Sequence, residues 1–119
     1  MSILDTLRKK YTTKNAIIPA NKIIECQDEF QAAQDALIAK TFTEYIPGII
    51  DEILLAAKRL RQDVEIFINV PDATDQNIIT SRFCKYIREY FKDLGYTASV
   101  CRYTWQNSMV KYRIALKWE

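Results

Sequence analysis

Apolar residues recur along this chain with two different periods, and the switch between them lays out the expected fold. Near the start, Ile3, Leu4, Leu7 and Tyr11 return every three or four residues, the spacing of one helix face. Ser2 with Asp5 three positions on resembles a capping box, so the pattern predicts a short amphipathic helix over about 2–11. A helix of that length is marginal alone, because nucleation costs more than a few turns return. It must dock on its own core or on another copy of the chain. The polar stretch "TTKNAIIPAN" then reads as a linker, with Pro19 biasing Ile18 away from helix. Residues 1–20 are therefore expected as a helical arm and linker on a single domain, 1–119.

Helical spacing resumes over about 21–46, where Ile23, Ile24, Phe30, Ala33, Leu37, Ile38, Phe42, Tyr45 and Ile46 form a wide stripe. Pro47 and Gly48 are expected to end or sharply kink that helix. A further helix over about 49–62 carries Ile49, Ile50, Ile53, Leu54, Ala57 and Leu60, with Lys58, Arg59 and Arg61 suiting the negative end of its dipole. The period then drops to two. In "VEIFINVP", Val64, Ile66, Ile68 and Val70 alternate with Glu65, Phe67 and Asn69, which marks a strand with one buried face. Pro71 closes it, and Asp72 or Thr74 is expected to cap a long helix reaching about 94, with Ile79, Phe83, Tyr86, Ile87, Tyr90 and Leu94 buried. Gly95 sits where such a helix needs a left-handed residue to stop.

The last stretch, "TASVCRYTWQNSMVKYRIALKWE", reads as two strands with a tight turn near Gln106, Asn107 and Ser108. A turn centred on Asn107 sets Val100 opposite Ile114 and Ala98 opposite Leu116. Ala98, Val100, Val110, Tyr112, Ile114, Leu116 and Trp118 then form the core side. The opposite face carries Ser99, Cys101, Tyr103 and Trp105 against Met109, Lys111, Arg113, Ala115 and Lys117. The expected class is α+β: N-terminal helices, then strand-helix-strand-strand, giving a small three-stranded mixed sheet with helices on one face.

Composition narrows the chemistry. At 119 residues and 49% hydrophobic, the chain suits one core. It has no histidine, which excludes imidazole zinc ligation, a histidine general base, and Ser-His or Cys-His nucleophiles. Cys26, Cys84 and Cys101 are scattered, odd in number and without a Cys-x-x-Cys pair, so reduced thiols are expected. With only Gly48 and Gly95, no glycine-rich phosphate loop can form. "PDATDQN" lacks the glycine and terminal glutamate of a calcium loop and reads as a helix cap. Ser81 and Lys85 lie four apart, but no orienting group or oxyanion hole is evident beside them. The expectation is a protein that is not an enzyme, holds no metal and needs no cofactor. No apolar run is long enough to span a bilayer, and the amino terminus has its charge after its apolar residues, the reverse of a secretory signal; a cytoplasmic location is expected.

Net charge is only +2 but unevenly spread. Residues 1–20 carry four basic groups against one acid, and 21–63 carry five against eight; residues 96–119 return to four against one. Basic ends on a mildly acidic middle permit phosphate contacts without the footprint of a dedicated DNA-binding domain. The sharpest candidate site is the outer hairpin face, Tyr103, Trp105, Lys111 and Arg113, where rings offer stacking surfaces and cations offer phosphate partners. The same residues suit two other roles: the ordinary outer face of a half-exposed sheet, or a protein or subunit interface with Phe67 adding apolar surface. Arg8, Lys9, Lys10 and Lys14 read first as a solvated helix end.

The segments "VEIFINV", "YFKDLGYTASV" and "YRIALKW" together resemble the layout of small accessory proteins of tailed phages and prophages, over roughly residues 50–119. In these a helical front half leads to a strand, a helix ending in a Gly-Tyr step, and a last strand closing on tryptophan; here those are Gly95, Tyr96 and Trp118. The resemblance implies a binding protein in the host cytoplasm that occupies a host defence or regulatory protein, or sequesters a small nucleotide signal. A nucleic-acid-binding module using the hairpin face, or a structural assembly protein, are the alternatives. Self-association into a homo-oligomer is expected from the separate N-terminal helix.

Overall fold

The computed structural model describes residues 3–118, apart from the side chains of Trp105 and Gln106. Ser2, and with it the expected capping box, lies outside the described residues. The element order is α1 (Ile3–Thr13), α2 (Ala20–Thr43), α3 (Ile46–Lys58), β1 (Asp63–Pro71), α4 (Asp72–Asp75), α5 (Thr80–Asp93), β2 (Thr97–Gln106) and β3 (Met109–Lys117). The α+β class is as the periodicities predict. Among the described residues no helix is long and apolar enough to cross a membrane.

The chain forms two compact units, one ending at Ala36 and the other starting at Leu37. The first unit takes in α1 and the first part of α2. Helix α1 stops at Asn15, which adopts φ 52°, while Ala16 N–H bonds the Tyr11 carbonyl at 3.1 Å. Asparagine tolerates the left-handed region better than other side-chain-bearing residues. Pro19 carbonyl accepts from Lys22 and Ile23, so the proline starts α2.

In the second unit, one sheet face packs under helices. Ile38 and Phe42 of α2, Ile49 of α3, and Phe83, Cys84, Ile87 and Phe91 of α5 meet Ile66, Ile68 and Val70 of β1, Val100 of β2, and Val110, Tyr112, Ile114 and Leu116 of β3. Phe42 touches Tyr86, Tyr90 and Phe91 edge-on at 5.1–6.0 Å, which ties the end of α2 to α5. Each large side chain so buried contributes about 1.5–3 kcal/mol.

Four expectations change. The sheet is not mixed: β1 and β2 each pair antiparallel with β3, in the order β1-β3-β2. The α5 crossover does join two strands of like direction, but β3 inserts between them and shields both its edges. Second, the break between α2 and α3 falls at Glu44–Tyr45, and Pro47 sits in the first turn of α3, where a missing N–H leaves no bond unmade. Helix α3 ends at Lys58, with Leu60 at φ 60° turning the chain into β1. Third, the long helix is divided. The turn through Gln76–Ile79 buries Asp75 and Ile78, and no side chain caps α4 or α5. As a result Cys84 and Phe91 enter the core, and Ile79 and Leu94 are exposed. Gly95, at φ 97°, ends α5 as expected.

The fourth change is in the hairpin register. Val100 faces Ile114 and Ala98 faces Leu116 as expected, but an irregularity between Arg102 and Thr104 shifts the pairing. Beyond it Thr104 faces Lys111, Trp105 faces Val110 and Gln106 faces Met109. The turn is thus two residues, Asn107 (φ 54°) and Ser108 (φ 62°), the pair of positive angles that matches the right-handed strand twist.

Candidate functional site

The sheet face away from the helices is built from the alternate residues of all three strands. β1 supplies Glu65, Phe67 and Asn69, and β3 supplies Lys111, Arg113 and Ala115, in register as Glu65–Ala115, Phe67–Arg113 and Asn69–Lys111. β2 adds Ser99 opposite Ala115 and Cys101 opposite Arg113. Tyr103 occupies the irregular step between Arg102 and Thr104, and there its ring reaches across β3 to Phe67, centroids 5.2 Å apart and tilted by 58°. Phe67 remains 39% exposed and Tyr103 56%, so the pair forms an apolar centre open to solvent.

Charged groups ring that centre and are tied to it. Lys111 Nζ lies 5.4 Å from the Phe67 ring centroid, a cation–π contact. Arg113 Nη2 is 2.8 Å from Glu65 Oε2, and the hydrogen bond and charge of that carboxylate push the already high guanidinium pKa further up. Of the four residues expected in the site, Tyr103, Lys111 and Arg113 share this face. Trp105 is placed by backbone register opposite buried Val110, while its side chain lies outside the described residues. The expected grouping of all four assumed an unbroken register, which the irregularity at Tyr103 removes.

Phe67 is expected on this face from the sequence, whereas Glu65 joins the site only through tertiary pairing. Phe67 and Glu65 lie on β1's open face by alternation alone, but their meeting with Tyr103 and Arg113 requires β1 to pair with β3. No spacing in the sequence carries that information.

A second polar cluster lies on the helix-covered side. Tyr112 is fully buried and its hydroxyl donates to Asp75 Oδ1 at 2.6 Å; Asp75 Oδ2 is 3.7 Å from Arg102 Nη2. Burial, then the bond to Asp75, pushes the Tyr112 phenol far up, which keeps it a donor. Burial also raises the Cys84 thiol. Tyr112 has no solvent access and Asp75 almost none, so their bond bridges α4 to β3, with Arg102 partly exposed at its rim. Lys85 reaches Glu89 at 4.0 Å along α5, an exposed helix pair, and Ser81 is exposed. Among the described residues, no three His, Cys, Asp or Glu side chains come together as a metal cage.

No protein-family model, no curated protein and no solved structure matches this chain.

Proposed function

We propose that the protein acts by binding another protein through the open face of its sheet, without catalysing a reaction. What carries this reading is the Phe67–Tyr103 ring pair, exposed at the centre of an uncovered sheet and bordered by Lys111 and the Arg113–Glu65 ion pair. An aromatic centre with a charged rim is the anatomy of a protein interface, where buried rings anchor and rim charges set orientation. The cations argue against a phosphate-driven surface. Arg113 is already neutralised by Glu65, Lys111 sits on Phe67, and the two rings pack on each other instead of standing apart as separate stacking platforms. The resemblance to phage accessory proteins fits this reading, with a host protein as the partner.

The test compares wild type with Tyr103→Ala/Arg113→Ala, both immobilised and exposed to lysate of the native host. Wild type is expected to retain a defined protein in about 0.5 M salt, and the double variant to lose it while melting at nearly the same temperature. The reading fails if both retain the same material. It also fails if wild type shifts a single-stranded oligonucleotide at low salt and releases it steeply as salt rises, the mark of phosphate contacts.

A further inference from the structure

The open face ends at two strand edges, and they differ. Trp118 N–H donates to the Gln62 carbonyl at one end of the β1–β3 pairing, and Asp72 N–H donates to the Ser108 carbonyl at the other. Hydrogen-bonded pairs alternate along an antiparallel ladder, so Val64, Ile66, Ile68 and Val70 direct their main-chain groups at β3. Asp63, Glu65, Phe67 and Asn69 therefore turn theirs outward along the edge. By the same alternation β2 turns out those of Ala98, Val100 and Arg102. The β2 edge is blunted twice: the irregularity between Arg102 and Thr104 breaks its line, and the Arg102 main chain bonds the Cys84 thiol of α5, which packs along that strand. The β1 edge runs straight, with unbroken pairing from Asp63 to Pro71. It is stopped at Asn69, whose outward carbonyl accepts from the Tyr45 hydroxyl at 2.6 Å.

Two further features suit that edge to an incoming chain. Its acids are paired with the protein's own cations, Asp63 with Arg61 at 3.0 Å and Glu65 with Arg113 at 2.8 Å. Beside it, α3 and β1 leave a groove of about 180 Å³ whose walls include Leu55, Ala56, Val64 and Glu65, with Leu55 exposed. We infer, resting on the open face as the protein interface proposed above, that its partner docks by adding an extended strand to β1 along Asp63–Phe67. The outward N–H and C=O groups define the occupant, because a row of unpaired ladder groups is matched by another extended main chain. Side chains of the added strand then alternate, one set lying beside Phe67 and Tyr103 on the open face and the other entering the groove at Leu55. The chemistry that fits is a segment of about five residues, apolar at alternate positions. A second copy of β1 fits less well. Two-fold pairing centred on Val64 or Glu65 sets carboxylate directly against carboxylate, and pairing centred on Ile66 or Phe67 needs the Asn69 carbonyl that Tyr45 holds.

The experiment selects binders of the full chain from a random library of peptides about ten residues long, then measures them as synthetic peptides by fluorescence anisotropy. A selected peptide is expected to tolerate N-methylation at every second amide and to lose about tenfold in affinity when the intervening amides, which face β1, are methylated. On the protein, Glu65→Pro removes one outward N–H and no bond to β3; it is expected to weaken binding about tenfold beyond Glu65→Ala, which loses the same side chain. Circular dichroism checks that both variants fold, and if Glu65→Pro does not, the N-methylation pattern decides alone. Binding that falls in Tyr103→Ala/Arg113→Ala but equally in Glu65→Pro and Glu65→Ala overturns the strand docking and leaves the open face as the interface. Peptides that bind every variant alike overturn both readings. A library that yields no binder overturns the strand docking, as does a wild-type dimer that Glu65→Pro converts to a monomer, which gives the edge to a second copy.

Discussion

Replacing Tyr112 by Phe removes one oxygen from the middle of the second unit and nothing else. The ring stays, with its edge-on contact to Phe83 at 4.9 Å, so the change removes only the hydroxyl's bonds, to Asp75 and to the Thr80 side chain. The bond to Asp75 is short, 2.6 Å, and its acceptor is a carboxylate in a side chain only 9% exposed. Hydrogen bonds to charged groups contribute about 1.5–3 kcal/mol, and an abandoned buried acceptor carries a desolvation penalty of like size. Against this, Arg102 remains 3.7 Å from Oδ2, but its side chain is 46% exposed and restores at most a fraction of a kcal/mol. The expected loss is about 2 kcal/mol, or roughly 8 °C in Tm for a domain of this size. Urea unfolding followed by circular dichroism measures it, and a cycle with Asp75→Ala assigns it. If the two groups act as one bridge, the double variant is destabilised little more than the worse single variant. A loss under about 0.5 kcal/mol, or losses that simply add, refutes the bridge.

The same environment sets an alkaline limit. The Tyr112 phenol is held above its unfolded value of 10.0, so its contribution is intact below about pH 10 and is lost as pH rises through the folded-state value. Absorbance near 295 nm should show Tyr112 ionising only together with unfolding, with burial also holding the Tyr45 phenol up; a Tyr112→Phe difference titration that shows its ionisation before unfolding contradicts this. Among the thiols, Cys101 is exposed while Cys26 and Cys84 are buried, so a thiol reagent should modify one cysteine fast and two slowly, and Cys101→Ser should remove the fast phase. Leu60 is 91% exposed at φ 60°, so Leu60→Gly relieves strain without losing packing and should gain about 0.5 kcal/mol in thermal unfolding. Gly95→Ala should lose about 1 kcal/mol from its φ of 97°, since no neighbouring atom lies within 4 Å of the added methyl; an unchanged Tm would contradict that.

Much of this protein follows from local pattern. Three- and four-residue spacing places α1, α2 and α3, alternation places β1 and picks its buried Ile66, Ile68 and Val70, and Gly95 ends α5 because only its backbone adopts that angle without strain. These are properties of neighbouring residues, and the chain states them directly. The divided helix at Gln76–Ile79 is different: it goes with the bond from Tyr112 to Asp75, 37 positions apart, which no helical period records. The open face depends likewise on non-local choices. Insertion of β3 between β1 and β2 brings Glu65 to Arg113, and one irregular residue at Tyr103 delivers its ring to Phe67 while moving Trp105 to a position opposite Val110. A period of two makes every strand position depend on its register, so a single extra residue exchanges the faces of all that follow it. Sequence alone determined which residues form strands and which alternate inward; the tertiary pairing decided which side chains share the face.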